Sequence, residues 1–268
     1  MNNFNCHRVI DADSIRLHIV RSLKMCTDAF FGGYMKSLKK LFNYFTLSEK
    51  LLWFCSVVLI TASFVIFDSS GYMNFAASLL GVTSLIFCAK GNPFGQALMI
   101  VFSLLYTLIS YSFAYYGEMI TYAGMTLPMA VFSLISWLKN PFKGNKAEVE
   151  VNKIKAKEIV FMFILCSAVT VGFYFILKHF NTANLIPSTI SVATSFIAVY
   201  LSFRRSAYFA FAYSMNDLVL IVLWTMASAQ NKAYISVVVC FAMFFLNDLY
   251  GFINWKRMHR KQKDSSVR

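Results

Sequence analysis

From residue 51 onward the chain alternates long apolar stretches with short polar ones. Eight of the apolar stretches have the length a membrane-crossing helix needs, about 17–25 residues. They run at 51–67, 73–90, 96–116, 118–138, 158–177, 185–203, 207–229 and 233–255. Some are separated by only a few residues, as at Gly117-Glu118 and Gln230-Asn231-Lys232, so the pattern places the helices more firmly than their ends. It predicts an all-α polytopic membrane protein. One connection is long, the polar and basic segment 139–157, and it splits the chain into halves.

Residues 1–50 are polar and basic, with no apolar run of the secretory kind. Met35-Lys-Ser-Leu-Lys-Lys reads as a natural beginning, so residues 1–34 are either an upstream extension or a cytoplasmic tail. Thr46-Leu-Ser-Glu49 fits a capping box, hydroxyl and carboxylate serving the free N–H groups of a helix start.

Composition narrows the class. The 268 residues are 58% hydrophobic and 17% aromatic, with 28 Phe and a mean hydropathy of +0.59, a balance that excludes an ordinary soluble domain. The net charge of +13 suggests nucleic acid until its distribution is read. With the N-terminus cytoplasmic, eight Lys and Arg lie in residues 1–50, one at Lys90, six in the 139–157 loop, two at Arg204-Arg205 and six from Lys256 onward. Of the 25, only Lys178 and Lys232 then face outward, which satisfies the positive-inside rule and requires an even number of spans. The charge is thus an orientation signal with membrane-lipid contact, and no nucleic-acid partner is expected. Six scattered Cys without a C-x-x-C pair, and four dispersed His, give no support to a metal site or a disulfide framework. No cofactor is expected.

The halves resemble each other. Lys90-Gly91-Asn92, a long helix and Gly117-Glu118 mirror Arg204-Arg205, a long helix and Asn231-Lys232, each spanning 27 residues. Phe132-Ser-Leu-Ile-Ser-Trp137 mirrors Tyr250-Gly-Phe-Ile-Asn-Trp255. The expected organisation is therefore a basic segment 1–50, an extra helix 51–67, a three-helix bundle 73–138, a loop 139–157, a linker helix 158–177, a second bundle 185–255 and a basic tail 256–268. An odd linker gives both triplets one orientation, a 3+1+3 parallel repeat of the SWEET type.

Two Asn-Asp pairs interrupt the last two helices, Asn216-Asp217 and Asn247-Asp248. An acidic group near mid-membrane costs at least a few kcal/mol and marks a pathway or binding site by default. Such groups also serve as hydrogen-bonded links between helices, and both readings stand for these four. Trp224 lies about two turns beyond Asn216 on the same face, with Tyr213 on the same helix. Glu118, Thr121, Tyr122, Met125 and Thr126 share a face in the fourth helix, which Pro128 is expected to kink. Gln96 either faces the pathway or caps its helix. The candidate substrate contacts are Asn216, Asp217, Trp224, Asn247, Asp248, Tyr122, Thr126, Tyr213 and Gln96.

Asn216-Asp-Leu-Val-Leu-Ile-Val-Leu-Trp224, Asn247-Asp-Leu-Tyr-Gly-Phe-Ile-Asn-Trp255, Tyr116-Gly-Glu-Met-Ile-Thr-Tyr122 and Asn92-Pro-Phe-Gly-Gln96 resemble the PnuC family of bacterial vitamin transporters, over roughly residues 50–258. The resemblance implies the 3+1+3 core with an extra first helix, a homotrimer, and facilitated diffusion of nicotinamide riboside drawn inward by intracellular phosphorylation. Relatives carry thiamine, riboflavin or deoxynucleosides. The family's Trp-x-x-Trp-x-x-x-Asn falls on Phe209, Ala212 and Asn216, so the Asn matches while both Trp are replaced, which alters the expected stacking contacts. No Gly-x-x-x-x-Gly-Lys phosphate loop is present, hence no ATPase, and nothing suggests an enzyme. Proton coupling through Asp217 or Asp248, and a non-transporting membrane sensor, are the rival readings.

Overall fold

The computed structural model describes residues 43–112, 116–182 and 184–267; expectations for residues 1–42 lie outside them. The chain divides into two units, residues 1–50 and 51–268. In the first, the capping box forms: the Thr46 N–H donates to Glu49 Oε2 at 2.7 Å and the Glu49 N–H to Thr46 Oγ1 at 3.4 Å. Two amides that a helix start leaves open are thereby satisfied.

Among the described residues, eight helices are long and apolar enough to cross a membrane, one for each apolar stretch. They are α1 (Leu47–Phe67), α2 (Tyr72–Ala89), α3 (Pro93–Ser112), a composite of α4 (Tyr116–Thr121) and α5 (Leu127–Lys139), α6 (Ala156–His179), α7 (Leu185–Phe203), α8 (Phe209–Ser228) and α9 (Ile235–Val267). Six elements close a ring: α2 packs on α3, α3 on α5, α5 on α7, α7 on α8, α8 on α9, and α9 on α2. Helix α6 packs on α7, tied by Arg204 Nη2 donating to Glu158 Oε2 at 3.0 Å and by Nε donating to Oε1. Helix α1 is bonded to α2 through Trp53 Nε1 and Thr83 Oγ1, at 3.1 Å.

Lipid tails are as apolar as leucine, so helices in a membrane associate through close packing and hydrogen bonds. Gly95 illustrates the first. A Cβ there would lie 2.6 Å from both the amide nitrogen and Sγ of Cys88, so α3 meets the backbone of α2. Gly95→Ala is expected to push the two helices apart at a cost of about 1–3 kcal/mol, read as a lower Tm in detergent. An unchanged Tm would mean that the helices part freely.

Hydrogen bonds illustrate the second, and they come in matching sets. Helix α2 ends with Gly91 at φ +69 and α7 with Arg205 at φ +55. In both turns the next residue's N–H reaches back to the helix, Asn92 to Phe87 O at 3.0 Å and Ser206 to Leu201 O at 2.9 Å. Glycine adopts this left-handed conformation without strain, whereas Arg205 bears it. At the α5–α7 junction Trp137 Nε1 donates to Ser202 O at 2.9 Å and Ser136 Oγ to Phe203 O at 2.8 Å. At the α9–α2 junction Trp255 Nε1 donates to Cys88 O at 2.8 Å and Asn254 Nδ2 to Ala89 O at 2.8 Å.

Three details go beyond the expected organisation. The 139–157 loop carries a short antiparallel hairpin between the helices, Pro141–Phe142 (β1) paired with Asn145–Val149 (β2). Lys143 and Gly144 both have positive φ, the geometry of a two-residue hairpin turn. The loop lies across both helix-end turns, the Val149 N–H donating to Gly91 O and the Asn152 N–H to Arg205 O, each at 3.0 Å. Second, the basic tail is helical, α9 continuing through it to Val267. It has no Gly or Pro beyond Gly251, and Gln262 braces the loop, accepting from the Val151 N–H at 2.9 Å and donating to Val149 O at 3.0 Å. Third, the helix before Pro128 does not simply kink. It widens into a π-helical turn over Tyr122–Thr126, which accommodates the ring and the missing donor of Pro128.

Candidate functional site

Two buried clusters lie within the ring, one built on Trp137, Trp255 and Phe209, the other on Phe102, Tyr106, Phe241 and Phe244. A cavity of about 110 Å³ borders both halves of the ring. Asp217 on α8 and Asp248 on α9 meet there, 4% and 5% exposed, their carboxyl groups hydrogen-bonded to each other. Asp217 Oδ2 is buried with no hydrogen-bond partner among the described residues. Among those residues no other acidic and no basic side chain borders the cavity.

Asn216 turns toward α7. Its Oδ1 accepts from Thr194 Oγ1 at 2.8 Å, Ser195 Oγ at 3.0 Å and Ser191 Oγ at 3.3 Å. With the carbonyl oxygen occupied by three hydroxyls, the amide NH2 is the end available to a ligand acceptor. Thr194→Val keeps the shape and removes the shortest of these bonds. Membrane hydrogen bonds average about 0.6 kcal/mol, so a ligand held by Asn216 should bind about 2–5-fold more weakly by calorimetry. Recovery in Thr194→Ser would tie the loss to the hydroxyl, and unchanged affinity would leave Asn216 without a role in binding.

The walls are aromatic. Tyr122 and Thr126 reach the cavity from the π-helical turn, Tyr213 and Trp224 from α8. Phe102 lies edge-on to Tyr122, with centroids 6.3 Å apart. The widened turn is what presents Tyr122 and Thr126 together, since inserting one residue rotates everything before it relative to α5.

Seven of the nine candidates therefore border one cavity: Asn216, Asp217, Trp224, Asp248, Tyr122, Thr126 and Tyr213. The structure places the other two elsewhere. Asn247 faces outward from the ring, donating through Nδ2 to Ser56 Oγ on α1 at 2.9 Å and to Met243 O at 2.7 Å. One residue along a helix is a 100° rotation, and here it turns Asn247 onto α1 while Asp248 borders the cavity. Gln96 neither lines the cavity nor caps: its Nε2 donates to Ser202 Oγ at 3.2 Å and Cys88 Sγ at 3.4 Å, while Asn92 Oδ1 takes the capping bond from the Phe94 N–H. Of the Glu118 side chain nothing is described.

The expectation about Phe209 and Ala212 also changes. Phe209 packs edge-on against Trp255, centroids 4.7 Å apart, and Ala212 borders a lateral recess of about 660 Å³. Neither borders the cavity, so its aromatic contacts come from other positions. The recess is the larger space, but it opens between exposed apolar side chains such as Phe163 and Phe211 and holds no carboxylate. Lys153, Lys256 and His259 also border it. Sequence reasoning passed over Ser191 and Ser195, although Ser188, Ser191 and Ser195 form a hydroxyl stripe at helical spacing in an apolar helix. Phe102, Phe241 and Phe244 carried no such signal among 28 Phe.

Comparison with known proteins bears on the family and the fold. The profile of the nicotinamide mononucleotide transporter family matches residues 71–257. A nicotinamide riboside transporter PnuC from Neisseria mucosa is 24% identical over 227 residues, which cover 83% of this chain and 86% of the relative. A crystal structure of the vitamin B3 transporter PnuC matches with a TM-score of 0.70 at 21% identity, over 81% of this chain and 94% of that one, a likeness of fold.

Proposed function

The chain belongs to the nicotinamide mononucleotide transporter family, and on that premise we propose that it carries nicotinamide riboside across a bacterial inner membrane. The observation that carries the choice of substrate is the charge of the cavity. The family's description names the mononucleotide, a phosphate ester, whereas the curated relative is a transporter of the riboside. A phosphate would need a Lys, an Arg or a helix N-terminus to face it. The acidic pair Asp217 and Asp248 instead suits the positive nicotinamide ring, and the aromatic walls suit its flat face. The Asn216 amide suits the carboxamide oxygen or a ribose hydroxyl.

Transport is facilitated diffusion by alternating access, drawn inward by phosphorylation of the product. At about 110 Å³ the cavity is smaller than a usual ligand site of about 300–1,000 Å³, which fits a chamber that opens by moving its walls. Two triplets, α2–α3–α5 and α7–α8–α9, rock against each other, a reading supported by their order round the ring and by the matched hydrogen bonds at both junctions. The loop and both termini are cytoplasmic, supported by the placement of Lys and Arg. The protein assembles as a homotrimer, which its mass in detergent would test.

The test is binding to purified protein, by calorimetry, of nicotinamide riboside, nicotinamide mononucleotide, thiamine, riboflavin and a deoxynucleoside. Nicotinamide riboside should bind best, and the mononucleotide at least about ten-fold more weakly, about 1.4 kcal/mol. Preference for the mononucleotide would overturn the reading of the cavity charge. A second reading, proton-coupled uptake, draws on the contact between Asp217 and Asp248. Uptake into proteoliposomes that ignores a pH gradient would remove it.

A further inference from the structure

Trp224 borders two spaces. Besides the central cavity it lines a separate chamber of about 280 Å³, formed where the α1–α2 connection, α3 and the α8–α9 connection come together. Tyr106 and Tyr234 line this chamber, and Asp68, Asn74 and Asn231 supply polar groups. It lies at the end of the ring opposite the 139–157 loop, the side of Lys178 and Lys232, which positive-inside sorting makes the outer side.

The partition between chamber and cavity is aromatic on both sides. The Trp224 ring lies 5.2 Å from that of Tyr234, centroid to centroid. Across from them Tyr106 lies 5.0 Å from Tyr122 and 4.7 Å from Phe102, both of which face the central cavity. A flat ring passing from one space to the other thus exchanges one set of aromatic faces for another. Asp68 is the one acidic or basic side chain bordering the chamber among the described residues. Its carboxylate lies close over Gly71, the N-cap residue of α2, where an added Cβ would meet Asp68 Oδ2 at 2.1 Å. Lys232 follows Asn231 in sequence but does not border the chamber.

We propose that this chamber is an outer docking station for a flat, positively charged aromatic ligand, occupied before the central cavity, with Asp68 as its counter-charge and Trp224 as the wall shared by both. The proposal rests on the transport reading above. An acid at the mouth of a low-dielectric passage raises the local concentration of a cation, and removing it acts on capture and on its salt dependence. Because the ring cation is also attracted to Trp and Tyr faces, it is held at the partition rather than merely drawn near.

The experiment is initial-rate uptake into proteoliposomes of nicotinamide riboside, a cation, and of its 1,4-dihydro form, which is neutral. It compares the unsubstituted protein with Asp68→Asn and Asp68→Glu. Asp68→Asn should raise the half-saturating concentration of the cation about five-fold at low salt, with the neutral form unaffected. Asp68→Glu should restore the value, and added salt should shrink the difference as the charges are screened. Equal effects on both compounds, or none on either, would overturn the proposal. If the unsubstituted protein takes up neither compound, the transport reading itself fails and takes the docking station with it, and this is seen before any variant is compared.

Discussion

Replacing Trp255 by alanine is expected to destabilise the protein by about 3–5 kcal/mol, the usual cost of emptying a fully buried Trp site. Trp255 is 0% exposed, and its ring lies 5.2 Å from that of Trp137, also 0% exposed, and 4.7 Å from that of Phe209. Both indoles sit at a junction between the two halves of the ring, each donating to a carbonyl near the end of a helix in the other half. Cys88 O and Ser202 O also accept from the Gly91 and Arg205 N–H groups, so losing the indole does not leave them bare. The cost is therefore mainly one of packing. Trp255→Phe should retain most of it and lose about 1 kcal/mol with the N–H. Trp137→Ala should behave like Trp255→Ala, and the double variant should cost less than the two together because the rings share a contact. Thermal unfolding in detergent measures all four. If Trp255→Ala unfolds at the temperature of the unsubstituted protein, the indoles are membrane-edge anchors and the junctions are held elsewhere.

Asp217→Asn and Asp248→Asn should have the largest effect on ligand binding, each weakening a cationic ligand by roughly 10- to 100-fold. Two unit charges 4 Å apart attract by about 4 kcal/mol at an effective dielectric of 20, and part of that is offset by desolvation. Asparagine preserves the hydrogen bond between α8 and α9 and removes only the charge, so the fold should survive. Alanine is harsher: it leaves the facing carboxyl group buried without its partner, and both binding and stability should fall. Calorimetry with nicotinamide riboside and its neutral dihydro form separates charge from shape. Loss for the cation alone supports the reading; equal loss for both would make the pair a structural link between helices. The expected contrast with Asp68→Asn is one of kind, because the pair acts on equilibrium affinity and Asp68 on capture.

Much of this architecture was legible in the chain. Eight apolar stretches became eight spanning helices, because backbone groups in lipid have no partner except within a helix. Thr46-Leu-Ser-Glu49 is a capping box because its contacts are local. The likeness of Trp137 to Trp255, read from matching hexapeptides, reappears as two matching hydrogen-bonded junctions. Local and periodic features of this kind depend on little beyond their neighbours in sequence.

What the tertiary structure alone decided is which way each helix faces. Asn247 and Asp248 look interchangeable in sequence, yet one reaches Ser56 on α1 and the other meets Asp217 in the cavity. The same holds for Gln96, drawn into the contact with Ser202, and for Ser191 and Ser195, whose role appears only with Asn216 opposite them. A water-soluble helix announces its buried side by its apolar stripe. A spanning helix is apolar all round, so its rotation about its own axis is set by close packing and by a few hydrogen bonds to partners far away in the chain.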